Sequence, residues 1–193
     1  MMANALCLLF VAILALPSCA SQPPGVAVAP GKLFPGGFVN IKAPTSDGWR
    51  LIQSSGSGMV FGREGQSKGD SFVAALSMFN LPPTKTPDEF ESLIKTAAAK
   101  DIDPGRFDIQ QQSSKYSDER RYPCVRYQAV AKDKRPQGSK GPLLLELDGL
   151  YCRHPVRRET GFAAVYSYRG EHRHTGLRSE AESFIQGIQV PDK

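Results

Sequence analysis

Two stretches of this chain, residues 124–131 and 143–152, alternate side-chain character with period two, and each carries a cysteine. Period two sends successive side chains to opposite faces of an extended strand. In the first stretch Val125, Tyr127, Ala129 and Ala131 alternate with Cys124, Arg126 and Gln128. In the second, Leu143, Leu145, Leu147 and Tyr151 alternate with Glu146, Asp148 and Cys152. The charged, glycine-containing segment 132–141 between them has hairpin-loop character. An antiparallel pair follows. With the apolar sets toward a core, Cys124 and Cys152 fall on the other face of adjacent strands, within bridging distance.

The remaining pattern extends this sheet. Further strand candidates occupy residues 38–41, 49–53, 58–62, 72–81, 107–112 and 161–169, with the first paired segment beginning near Tyr122. Thr86, Pro87 and Glu89 form a T-x-x-E helix start, followed by an apolar stripe of Phe90, Leu93, Ile94, Ala97 and Ala98. Asp103-Pro104-Gly105 ends that helix. A second helix covers about 178–186, with Ser179 and Glu182 as a second capping pair and Gly187 in the left-handed position after the last turn. Strands, helix, strands, helix with short connections imply an α+β fold. The expected form is an antiparallel sheet of six to eight strands with both helices on one face.

The start of the chain gives an address. Residues 5–16 are uniformly apolar, a run shorter than the roughly 20 residues that cross a membrane and suited to a signal-peptide core. It closes on Leu16-Pro17-Ser18-Cys19, which resembles the lipobox of bacterial lipoproteins. Leu16 and Ser18 fit that pattern; Pro17 is a less usual occupant, and residues 1–6 lack the customary Lys or Arg. The resemblance implies cleavage before Cys19, a thioether-linked lipid on its sulfur and an N-acyl chain of the palmitate type. Two or more fatty chains hold a protein stably on a bilayer. Ser21, where lipoproteins kept at an inner membrane often carry Asp, implies an outer-membrane anchor facing the periplasm. Cys7 leaves with the signal, so Cys124 and Cys152 remain as an even pair in an oxidising compartment, expected as a structural disulfide.

The expected organisation is a signal peptide at 1–18, a lipidated N-terminus and flexible tether at 19–37, and one domain at 38–193. The tether reading rests on the Pro, Gly, Ser and Ala content between Ala20 and Gly37. The chain carries a net charge of +5, concentrated in its second half. Arg153, Arg157 and Arg158 are candidates for contact with anionic lipid or cell-wall surfaces, or with an envelope protein. No nucleic-acid motif is present, and no nucleic-acid partner is expected.

Asp47-Gly48-Trp49, the T-x-x-E helix after Leu81-Pro82-Pro83, and the Tyr166-Ser167-Tyr168-Arg169-Gly170 strand leading to Glu180-Ala181-Glu182-Ser183-Phe184-Ile185 together resemble the PsbP-like fold. That fold is named for an extrinsic photosystem II protein and is shared by small bacterial lipoproteins. The resemblance implies an accessory or binding role, and no ligand residue carries over from it.

Catalytic motifs are sparse. G-x-S-x-G, the P-loop and the dinucleotide fingerprint are missing. His154 lies two residues from Cys152, but the expected disulfide consumes the thiol. His172 and His174 form an H-x-H pair, two of the three or four ligands a zinc or copper site needs, and are read as exposed loop residues. Glu146 and Asp148 share a strand face read as solvated, and the tyrosines 122, 127, 151, 166 and 168 are read as sheet formers packed under helices. The expectation is a non-catalytic accessory or binding module of the envelope without a cofactor. The alternatives are an envelope-component hydrolase and a metal-binding protein using His172 and His174.

Overall fold

The computed structural model describes residues 25–67, 69–136 and 141–191. The signal-peptide reading and Cys19 lie outside the described residues. Eight strands form one antiparallel sheet in the order β1 (Val26–Ala27), β4 (Arg50–Ser55), β5 (Gly58–Glu64), β6 (Ser71–Asn80), β10 (Thr160–Gly170), β9 (Leu143–Arg153), β8 (Cys124–Asp133) and β7 (Phe107–Ser117). A small second sheet is built from β11 (Ile188–Gln189), β3 (Asn40–Lys42) and β2 (Leu33–Phe34). Two helices complete the fold, α1 (Pro87–Asp101) and α2 (Leu177–Gln186). The α+β class and the strand number are as expected.

The helices do not share a face. α1 packs through Phe90, Ile94 and Ala98 on Val125, Tyr127, Ala129 and Tyr151. α2 packs through Ala181, Phe184 and Ile185 on the other side, against Phe61, Leu150, Cys152, Phe162 and Tyr166. The strands pairing at the centre therefore need apolar residues on both faces. β10 meets that need with a run rather than an alternation: Phe162, Ala163 and Ala164 are all buried. Reading one buried face from period two overlooked this run.

α1 begins as its sequence requires. Glu89 N–H donates to Thr86 Oγ1 at 3.1 Å, and the Glu89 carboxylate accepts from Lys85 N at 2.7 Å. α2 departs from expectation. Gly176 occupies the cap without a side-chain bond, and Ser179 lies inside the first turn, donating to the Gly176 carbonyl at 2.9 Å. Gly187 has φ −70°, right-handed rather than left-handed. Its small size is explained by crowding: a β-carbon there would lie 2.9 Å from the Lys42 side chain.

The domain starts earlier than expected. Val26 and Ala27 pair with Leu51 and Arg50, Leu33 and Phe34 pair with Lys42 and Ile41, and Val28 and Phe34 pack on the α2-side core. The described part of the expected tether thus belongs to the fold. Cys124 and Cys152 sit directly opposite each other on β8 and β9 and are joined as a disulfide. They lie on the face away from Val125 and Tyr127, as alternation requires, and α2 covers that face too, leaving them 2% and 0% exposed.

Candidate functional site

The turn from Asp47 to Trp49 begins the site. Gly48 takes a positive φ of 84°, a conformation that glycine adopts without Cβ strain. The chain then drives Trp49 into the core, where its indole N–H donates to Ser46 Oγ at 2.9 Å. Arg63, near the end of β5, donates to the same Ser46 Oγ at 3.1 Å and to Glu180 of α2 at 3.2 Å. Its guanidinium carbon lies 4.1 Å from the centroid of Phe72 and 5.2 Å from that of Trp49, within cation–π range. Arg63 Nε is buried without a hydrogen-bond partner, so ring electrons are its nearest compensation.

Glu180 ties the network together. Its carboxylate accepts from Tyr166 Oη, from Arg63 and, at 2.9 Å, from His174 Nε2. Burial pushes the carboxyl up, but the hydrogen bonds from Tyr166 and His174 and the charge of Arg63 outweigh it and hold Glu180 below the usual carboxylate range. Tyr166 moves the other way: burial first, then its bond to the Glu180 carboxylate and that negative charge, raise its phenol. The His174 ring stands against Phe72 and Tyr168, both at 5.1 Å between centroids. Burial, then the charge and hydrogen bond of Asp70, push the Tyr168 phenol up to about 12.

Of these groups Arg63, Asp70, Phe72, Tyr168, His174 and Glu180 line one side of a solvent-open cleft of about 890 Å³ beside the turn joining β5 to β6. Arg50, Ile52 and Val73 line the other. The site therefore offers aromatic faces, a histidine and both signs of charge. That mixture suits recognition by stacking and hydrogen bonding. Within the cleft His174 Nε2 donates to Glu180, and behind it Ser46 Oγ accepts from Trp49 and Arg63.

The sequence-derived candidates are dispersed. His174 belongs to the cleft, whereas His172 is exposed. Among the described residues no group of three or more His, Cys, Asp or Glu is arranged to hold a metal ion. Glu146 and Asp148 are 6% and 2% exposed, which corrects the solvated-face reading. Glu146 accepts from His174 N at 2.7 Å and pairs with Arg173, and Asp148 pairs with Arg126 and accepts from Gln128 at 2.9 Å. Buried carboxylates persist when charge-paired and hydrogen-bonded in this way.

Arg153 is half-buried and donates to the carbonyls of Pro82, at 2.8 Å, and of Arg158, so it straps the loop ends rather than serving a surface. Arg157 and Arg158 remain exposed, the former with its guanidinium 3.5 Å from the Phe38 ring centroid. His154 is buried beside the disulfide strand. Its Nδ1 accepts from Val156 N and Arg157 N, at 3.2 and 3.1 Å, a structural turn rather than a base. Tyr127, Tyr151, Tyr166 and Tyr168 are buried sheet residues as expected, and Tyr168 also reaches the cleft. Sequence reading missed the partnership of Arg63 with Glu180, residues 117 apart, because no local pattern links them.

No family model matches the chain, and no curated protein matches it. Among solved structures, a mutant of the protein Mog1 is similar at 10% identity and TM-score 0.46, covering 84% of this chain and 96% of that one. Cyanobacterial PsbP (CyanoP) from Synechocystis sp. PCC 6803 is similar at 13% identity and TM-score 0.47, covering 89% of this chain and 99% of that one. These likenesses concern the course of the chain alone.

Proposed function

We propose that this chain is an outer-membrane lipoprotein, anchored through a lipid on Cys19 and facing the periplasm, whose folded domain is a non-catalytic binding module. The observation that carries the binding reading is the self-satisfied polar network of the cleft. Tyr166, Arg63 and His174 all spend donors on Glu180, which fixes Arg63 and His174 beside the aromatic faces of an open recognition surface. The disulfide accords with an oxidising compartment. Arg157 and Arg158 supply exposed positive charge for anionic lipid or wall polymer, while Arg153 keeps a structural duty.

The test places a photocrosslinking residue at Gln66, on the cleft, and at Lys95, on the exposed side of α1, in intact envelopes. A discrete adduct from Gln66 that is absent from Lys95 and lost on Arg63→Ala is the expected outcome. Equal adducts from both positions refute the cleft as the binding surface. Membrane fractionation of Cys19→Ser tests the anchor separately: the variant is expected in the soluble fraction, and its retention on membranes refutes the lipid.

A further inference from the structure

The sheet face opposite α2 is only half covered. α1 lies over β7 and β8, and its core residues pack there. Farther along, register places Gly62, Val73 and Ser167 in one row and Val60, Ala75 and Val165 in the next. Ile52 is the extra residue of the β4 bulge and folds over Gly62, where a β-carbon would lie 3.0 Å from it. Ile52 and Val73 are 42% and 39% exposed, neighbouring apolar side chains left open on this face.

The described chain begins at the margin of this face. A β-carbon on Gly25 would stand 3.0 Å from Ile52 Cδ1, and Arg50 donates to the Gly25 carbonyl. Cys19 lies six residues before Gly25.

We propose that the uncovered face around Ile52 and Val73 rests on the bilayer that holds the Cys19 lipid, an inference that depends on the lipidation proposed above. Six residues span at most about 20 Å even when fully extended, so the anchor holds this edge at the interface. At that range docking is intramolecular, with an effective concentration on the order of millimolar. A contact too weak to recruit the free domain is then well populated, because the entropy of bringing the partners together is already spent by the anchor. The apolar face settles at the headgroup–acyl boundary, as an interfacial helix does. α2, on the other side of the sheet, points away from the membrane. Ile52 and Val73 also line the cleft, so its margin on this face meets the bilayer boundary while Arg63, Phe72 and Glu180 open on the α2 side.

The experiment uses the full chain matured in its host and reconstituted into vesicles containing bromine-labelled phospholipid. Trp49 is the single tryptophan and is 1% exposed, so it supplies a constant, shielded background. Val73→Trp adds an indole on the proposed face and Arg178→Trp adds one on exposed α2. Brominated lipid is expected to quench the emission added at Val73 and to leave that at Arg178 unchanged. Ile52→Glu in the Val73→Trp background is expected to abolish the quenching. Equal or absent quenching at both positions in protein whose intact mass carries the acyl adduct overturns the docking and spares the anchor. A shielded Val73→Trp indole with concentration-dependent dimerisation assigns the face to a second copy and also overturns it. A mass without acyl adduct removes the anchor and the docking together.

Discussion

Breaking the Cys124–Cys152 bridge is the perturbation whose size follows most directly from the fold. The two cysteines are 28 residues apart and directly opposite on neighbouring strands. On the chain-entropy relation, a crosslink closing that loop removes unfolded-state freedom worth about 3.6 kcal/mol. The native side contributes little to the difference, since two reduced thiols or two alanines remain small groups on the face that α2 covers. For a domain of this size, about 3.6 kcal/mol corresponds to a fall in Tm of roughly 7–14 °C. The assay is urea unfolding of the oxidised protein beside Cys124→Ala/Cys152→Ala, followed by fluorescence of Trp49. The variant is expected to lose about 3–4 kcal/mol and to unfold with a larger m-value, because its unfolded chain is less compact. A loss below about 1 kcal/mol refutes the reasoning, since it means the β8–β9 hairpin already restricts the unfolded chain. Because the sulfurs are buried, reductant reaches them only through opening of the α2 face. Reduction in native buffer is therefore expected to track unfolding rather than reductant concentration.

Thr86→Ala removes the acceptor for Glu89 N–H and is expected to cost about 1 kcal/mol in chemical denaturation, with Thr86→Ser close to neutral. Glu180 has a depressed folded-state pKa relative to its ordinary 4.5, so its stabilising effect is complete above that value and is lost as pH falls below it through the folded-state pKa. Melting temperatures measured across this acidic range are expected to fall less steeply for Glu180→Gln than for the parent; parallel curves contradict the network. A β-carbon on Gly170 would lie 1.9 Å from the Tyr168 hydroxyl, so Gly170→Ala is expected to move that ring and reshape the cleft. Loss of the Gln66 photoadduct with little change in far-ultraviolet circular dichroism is the outcome that checks it.

Much of the secondary structure was legible in the order of residues. The Thr86 box, the stripe of α1 and the alternation around Cys124 and Cys152 are local patterns, written within one turn or one strand, and geometry of period 3.6 or 2 decodes them. That alternation also foretold the shared face of the two cysteines. Tertiary packing alone decided which side each helix covers, since a strand buried on both faces and one buried on a single face differ by what lies above them. It decided, too, that Glu146 and Asp148 are buried: Arg126, Gln128 and Arg173 arrive from other elements to satisfy them. The cleft is of the same kind. Arg63, His174 and Glu180 meet through pairing of β5, β6 and β10 and the docking of α2, and a contact between residues 117 apart leaves no trace in local periodicity.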